Sequence, residues 1–442
     1  MLQELYEDTL LYLFERLPMF SRIGKAALKP DLTNTLRFCE VLGQPQQKFQ
    51  SIHIAGTNGK GSTSHALAAI LQDAGYKVGL YTSPHLVDFR ERIRINGAPV
   101  SKQWVVDFVK ENRSHIEEIE PSFFEITVAM AFKCFADEKV DIAVIETGLG
   151  GRLDSTNVIT PVLSIITNIS YDHKDLLGQS LKEIASEKAG IIKHRVPVLI
   201  GEQLPETERV FFEVALHNLS TVYYAEALWD IVRVRQDARF QYLKAVHKAH
   251  REMYDLNTDL LGTYQLLNLK TVLAATEILV ASQGLNLSLP RAIQALSGVK
   301  SLTGLRGRWD RLQEVPLVIG DVAHNVAGLT GVLAQWDQVE APQKHIVLGF
   351  VRDKDVESVL SLFPEDTRFY FCQAAVPRAL PVEELMDLAS SLGLRGAAYA
   401  SVPDAIRAAM DQMNPNDALL ITGSFFIVGE AIDYFSQVTH NV

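Results

Sequence analysis

The chain has 442 residues, 47% of them hydrophobic and 21% charged, enough apolar surface for two or three packed domains, and this excludes a disordered or low-complexity protein. Its net charge of −11 argues against a general nucleic-acid or anionic-membrane binder, although local basic clefts stay open. Three widely separated cysteines, Cys39, Cys134 and Cys372, support neither a disulfide framework nor a cysteine zinc site and fit a reducing compartment.

The opening MLQELYEDTLLYLFERL mixes acids into apolar positions at helical spacing, unlike a secretory leader. No uncharged apolar run reaches the roughly 18–20 residues of a membrane span, so a cytoplasmic protein is expected. From residue 49 onward, β-branched runs alternate with amphipathic stretches, the pattern of βαβ units around a largely parallel sheet. Strands are predicted at 49–55, 78–82, 140–147, 162–168 and 196–200, with helices at 60–74, 122–137 and 181–190. Residues 219–258 read as strand-like pieces without an intervening helix, an antiparallel appendage to this doubly wound unit. A helix over 264–282 then returns to it.

Residues 298–307, GVKSLTGLRG, lack either periodicity and form the best linker, dividing the chain into domains at 1–300 and 301–442. Beyond it, strands are predicted at 317–322, 345–349, 368–372, 397–400 and 418–422, a second α/β unit. In open parallel sheets ligands bind beyond the carboxyl ends of the strands, and the chemistry should cluster in the crevice between the units.

The strongest signal is SIHIAGTNGKGSTSHALAAIL, where a β-branched strand runs through Gly56-Thr57-Asn58-Gly59-Lys60-Gly61-Ser62 into an Ala-rich helix. Glycines let backbone N–H groups close around phosphate oxygens, the helix N-terminus adds positive potential, and Lys60 adds a mobile charge. The spacing departs from G-x-x-x-x-G-K-[ST]: Ile54 stands where the first Gly belongs, and Gly61 follows Lys60. Candidate metal ligands lie at three further strand ends: Ser83, Glu146, and the pair Asp172 and His173. Oxygen donors suit magnesium, whereas His173 alone favours zinc, copper or iron.

The loop GTNGKGS resembles that of the ATP-dependent Mur-type amide ligases and, within them, the bacterial folylpolyglutamate synthase/dihydrofolate synthase family. Nine further segments match in order: YTSPHL, FRERIRING, IETGLGGRLDSTN, YDHKDLLG, EKAGIIK, GRWDR, DVAHN, GFVRDKD and ITGSFF. The resemblance implies an N-terminal P-loop ATPase domain with a doubly wound, mainly parallel sheet, followed by a smaller C-terminal Rossmann-like α/β domain. It implies ATP on Thr57, Asn58, Gly59, Lys60, Gly61 and Ser62, together with Asn268, Arg308 and Asp321. It implies two magnesium ions on Ser83, Glu146, His173 and Lys188, the last as a carbamate.

Read alone, Lys188 is a solvated helical lysine paired to Glu183 or Glu187. Carbamylation needs its amine neutral part of the time, which burial can bring about. The resemblance places Lys60, Lys188, His173 and His324 in the catalytic machinery, with His324 and Ser424 at the incoming glutamate; by residue type alone Ser424 is equally a helix N-cap. DVAHN departs from the commoner DGAHN at Val322, which bears on the loop's geometry. Lys25, in the basic segment 22–34, and Asp154 are implied at the pteroate or folate. Arg90 and Arg92 either face substrate carboxylates or pair with Glu91. The implied reaction adds L-glutamate to dihydropteroate or a reduced folate through an acyl phosphate, with small molecules as partners, no nucleic acid or membrane, and a monomer.

Overall fold

The computed structural model describes residues 1–19, 31–352 and 354–440, apart from the side chains of 439 and 440. Eight strands form the first sheet: β1 (Gln50–Ala55), β2 (Val78–Tyr81), β3 (Ile93–Ile95), β4 (Ala98–Pro99), β5 (Ile142–Glu146), β6 (Leu163–Ile166), β7 (Val198–Ile200) and β8 (Val222–Tyr224). Their order is β4-β3-β2-β5-β1-β6-β7-β8, parallel from β2 to β8, with β3 and β4 antiparallel at one edge. β1 is central, and every residue of it after Gln50 is buried, because a doubly covered parallel strand faces apolar layers on both sides. Ile52 and Ile54 pack under the helices Lys60–Asp73 and Gln265–Gln283, while Ala143 and Ile145 of β5 face the helix Phe123–Asp137.

The antiparallel appendage consists of β9 (Trp229–Gln236), β10 (Gln241–His247) and β11 (Met253–Thr258), in the order β11-β10-β9. Its predicted first piece belongs elsewhere. Residues Val222–Tyr224 join the main sheet parallel to β7, and the one-turn helix Ala225–Leu228 separates them from β9. The helix Pro205–His217, opened by a proline in its first turn, supplies the crossover that makes β7 and β8 a parallel pair.

The expected linker is also more ordered than its composition suggests. Val299–Thr303 forms a short helix, too brief for any hydrophobic period to register. Tertiary contacts hold it: His65 Nδ1 meets Thr303 Oγ1 at 2.8 Å, and the Lys300 N–H donates to Asp259 Oδ2 at 2.8 Å. Gly304 and Gly307, both with φ of +70°, then turn the chain into the second unit.

That unit has six strands, β12 (Asp310–Gln313), β13 (Leu317–Gly320), β14 (Lys344–Leu348), β15 (Arg368–Cys372), β16 (Gly396–Tyr399) and β17 (Ala418–Thr422), in the order β12-β13-β17-β14-β15-β16. β12 pairs antiparallel to β13 at the edge; its mixed sequence DRLQ carries no strand signal of its own. The three cysteines are buried and free. Among the described residues no helix is long and apolar enough to cross a membrane.

Candidate active site

The loop between β1 and the helix Lys60–Asp73 turns on Gly59, whose φ is +84°. A Cβ there would lie 2.2 Å from Asn268 Oδ1, so backbone and amide side chain meet where only glycine fits. Gly59→Ala is expected to weaken ATP binding about tenfold or more, for roughly 1–3 kcal/mol of strain, which calorimetric titration with a non-hydrolysable ATP analogue would measure. Helix geometry leaves the N–H groups of Lys60, Gly61 and Ser62 without intrahelical acceptors, aimed into the cavity that these residues line. Gln265 Nε2 donates to Ser62 Oγ at 3.1 Å and Asn268 Nδ2 donates to Gln265 Oε1 at 2.8 Å, which fixes the loop against the helix Gln265–Gln283.

Two ammonium groups share one carbonyl at the loop's start. Lys60 Nζ donates to Gly56 O at 3.1 Å and Lys188 Nζ donates to the same oxygen at 3.0 Å. Lys188 is therefore buried rather than solvated, and neither Glu183 nor Glu187 is its hydrogen-bond partner: Glu183 caps its own helix and Glu187 pairs with Arg152. Burial, aided by the charge of Lys60, pulls its amine down to about 7.

Glu146, at the end of β5, is buried and raised to about 7 by burial, against the pull of Lys60 and Arg308. Its Oε2 accepts one long hydrogen bond, 3.3 Å from the Ser83 N–H. A buried carboxylate so sparsely bonded suits a divalent cation, and the Ser83 hydroxyl offers a second hard oxygen. Among the described residues no three His, Cys, Asp or Glu side chains converge as a metal-binding set, so phosphate oxygens and water would complete the coordination. His173, with φ of +48°, has its Nε2 at 3.4 Å from Lys354 Nζ.

The second unit reaches over this loop. The guanidinium of Arg308 stands 5.2 Å from the Phe425 ring and would be 3.4 Å from a Cβ on Gly61. Asp321 is buried, accepting from the Trp309 N–H at 2.7 Å and the Tyr264 hydroxyl at 2.5 Å. Val322 has no positive φ; its N–H donates to Gly307 O and its side chain packs on Val428 and Ile432, so a β-branched residue is accommodated. His324 donates from Nδ1 to Val322 O at 2.9 Å. Ser424 lines the cavity and also caps its helix, accepting from the Ile427 N–H at 3.2 Å. Asp172 is held well below the usual carboxylate range: burial would raise it, but hydrogen bonding to His324 and the charge of Lys354 prevail.

At the other end of the cavity, Arg92 is buried, donates to His85 Nδ1 at 2.8 Å and lies 5.3 Å from the Phe123 ring. Asp154 lines the cavity too, yet its oxygens accept from the Leu149 N–H at 2.8 Å and from the Thr156 N–H at 3.0 Å, capping the short helix Ser155–Val158. Arg90 lies outside the cavity. Its guanidinium grips Asp88 in a two-pronged pair and lies 5.7 Å from the Tyr6 ring, and Glu91, its other candidate partner, caps the N–H groups of residues 86–88 instead. Arg90→Ala is accordingly expected to leave the KM of every substrate within about twofold in steady-state assays, since its partner is Asp88 and it lies outside the cavity. Lys25 lies outside the described residues.

All the remaining expected residues line one cavity of about 1130 Å³ between the first and third sheets. The Mur ligase middle domain matches residues 54–276, and the Mur ligase glutamate ligase domain matches residues 307–425. The dihydrofolate synthase/folylpolyglutamate synthase of Bacillus subtilis is 32% identical over 444 residues, covering 96% of this chain and 98% of that protein. The chain belongs to the Mur ligase family of folylpolyglutamate and dihydrofolate synthases. A Mycobacterium tuberculosis folylpolyglutamate synthase complexed with ADP superposes with a TM-score of 0.87 at 30% identity, covering 98% and 99% of the two chains. E. coli FolC in complex with DHPP and ADP gives 0.85 at 28%, covering 98% of each chain. A bifunctional Yersinia pestis enzyme complexed with AMPPNP and Mn ion gives 0.83 at 26%, covering 98% of each.

As a Mur ligase of this branch, the protein is an ATP-dependent amide ligase. Tyr264 and Lys354 in its cavity, and Asn325 beside it, are residues that spacing alone does not single out. Tyr264, the cap residue before the helix Gln265–Gln283, reaches Asp321 across the crevice. Lys354, in the matched segment GFVRDKD, donates to Asp172 Oδ1 at 2.6 Å, and Asn325 of DVAHN exchanges hydrogen bonds with Asn58. The motifs containing Lys354 and Asn325 were the available signal; Tyr264 had none beyond its place at the start of the predicted helix 264–282.

Proposed function

We propose that this ligase adds L-glutamate to 7,8-dihydropteroate and to reduced folates, using ATP and a divalent cation. The carrying observation is the convergence of the phosphate loop, Glu146 and the second unit's Arg308 and His324 on a single cavity. Its apolar wall, with Pro18, Met19, Phe123 and Phe124, suits a flat aromatic substrate, and the DHPP bound by the E. coli relative supports this reading.

A carboxylate resists attack by an amine because its oxygen leaves poorly. Transfer of the γ-phosphoryl group of ATP to that carboxylate gives an acyl phosphate and ADP, and attack by the α-amine of glutamate then expels phosphate and leaves the amide. In this reading the first-turn N–H groups of the helix Lys60–Asp73 hold the phosphates, and Lys60 leaves its resting bonds to Gly56 O and Thr57 O to follow the charge. Arg308 adds positive charge from the second unit, Asn268 and Asp321 line the nucleotide end, and His324 and Ser424 receive glutamate. Ser83 and Glu146 would hold one magnesium ion, and His173 with a carbamylated Lys188 a second; bound there, the ions would offset the phosphate charge. Asp154, its carboxylate oriented by the Thr156 hydroxyl, faces the pterin donors. Closure keeps water from the acyl phosphate.

The division of labour follows the linker, with residues 1–300 binding ATP and pteroate or folate and 301–442 supplying glutamate binding and closure. We place the protein in the cytoplasm as a monomer. The test is phosphate release and product mass with magnesium, ATP and L-glutamate, on dihydropteroate, a reduced folate monoglutamate and a UDP-muramyl peptide. A gain of one glutamyl unit on the first two and none on the third is expected. Gain on one pteridine substrate alone would assign a single activity, and ATP turnover indifferent to glutamate would overturn the reading.

A further inference from the structure

Asp172, in the loop after β6, collects donors from the opposite wall of the cavity. Its Oδ1 accepts from Lys354 Nζ at 2.6 Å, and its Oδ2 accepts from Asn325 Nδ2 at 3.1 Å and lies 3.4 Å from His324 Nε2. The Asp172 and Lys354 side chains are only 10% and 7% exposed. All three donors belong to the second unit: His324 and Asn325 follow β13, and Lys354 follows β14. Asn325 is shared with the phosphate loop, donating to Asn58 Oδ1 at 3.1 Å and accepting from Asn58 Nδ2 at 3.2 Å. The Asn325 Oδ1 also accepts from the Gly328 N–H at 2.8 Å, capping the helix Val326–Asp337, so the amide is fixed on its own side of the crevice.

An anion meeting three donors across a crevice serves little purpose in either unit alone. Separation of the units would leave Lys354 without this partner and would break the Asn58–Asn325 pair at the same time. The glutamate that enters here carries negative charge, and its seat must be formed before its amine can attack the acyl phosphate at the right distance.

We propose that Asp172 is a positioning residue: as the units close, it draws His324 and Lys354 into place at the amino-acid end of the site. Through Asn325 and Asn58 the same movement is registered at the phosphate loop. This rests on the ligase reading, so glutamate-dependent phosphate release by the unaltered protein is measured first, and its absence is a failure of that reading.

The variants are Asp172→Asn, Lys354→Met, the double variant, and Asn325→Ala, each assayed with ATP and glutamate varied separately. Asp172→Asn should raise KM for glutamate tenfold or more while KM for ATP stays within about twofold. The double variant should lose no more than the worse single variant, because both break the same clasp. Asn325→Ala, which leaves the ion pair intact, should also raise KM for glutamate. X-ray scattering of the free protein should give a larger radius of gyration for Asp172→Asn than for the parent, a readout independent of turnover. A side chain with only a structural role would lower thermal stability and active fraction without moving KM for glutamate. Parental KM for glutamate in Asp172→Asn, or additive losses in the double variant, would overturn the proposal, and an unchanged radius of gyration would do the same.

Discussion

Glu146→Gln is expected to lower kcat by roughly 10³-fold while making the ligand-free protein more stable at pH 8, by on the order of 2–3 kcal/mol. Both effects have one origin. Burial raises the carboxyl from the ordinary carboxylate range to about 7, so the folded protein binds this proton more tightly than the unfolded chain does. Well below pH 4 the group is protonated in both states and burial costs little. As the pH rises towards 7 the unfolded chain ionises freely while the folded protein resists, and stability drains away; above 7 the loss is complete. Glutamine removes that slope, and with it the charge that a cation needs. Denaturant unfolding at pH 5 and pH 8, beside steady-state kinetics, separates the two: a variant no more stable at pH 8 than its parent would refute the argument.

Lys188 is expected to carry carbon dioxide. With the amine at about 7, about half of it is neutral at pH 7, against roughly 0.04% for an ordinary lysine. Carbon-13 NMR with labelled bicarbonate should show a carbamate that grows as the pH passes upward through 7 and disappears after exposure to pH 5. Lys188→Ala should lower kcat at least about 10²-fold, and short carboxylic acids that fit the vacated space should restore part of it. Full activity in protein whose Lys188 is shown to be unmodified would sink the carbamate.

The residues that could be read in advance were those whose chemistry has no structural use. Three glycines and a lysine between a strand and a helix point to phosphate, and Gly59 is indeed where a side chain would strike Asn268. Arg90 shows the converse, since its nearest anion is Asp88 in the same short turn, and spacing does not tell such a partner from a substrate. The Asp172–Lys354 pair spans 182 residues and exists only once two sheets face each other, which no local pattern can report. Val299–Thr303 escaped because a five-residue helix is stabilised by its neighbours rather than by its own periodicity. Ser424 carried two readings, cap and ligand; the structure shows the cap and sets the residue on the cavity wall.

Two neighbouring joins tie the second unit to the first. Leu261 and Tyr264 belong to the segment that leaves the antiparallel sheet, yet Leu261 is buried in the core of the second unit, and Tyr264 grips Asp321. The covalent crossing at Gly304–Gly307 leads directly into Arg308 and β12, beside that same Asp321. These two joins lie along one edge of the second unit's sheet, and a rotation about them would carry the opposite edge furthest. Arg308 and Asp321, beside these joins, would move least in such a rotation. Lys354 follows β14, two strands or about 10 Å from β13, and would move further. In the proposed reading such a rotation would open the amino-acid end of the site while the nucleotide end held, so one substrate could be exchanged without release of the other.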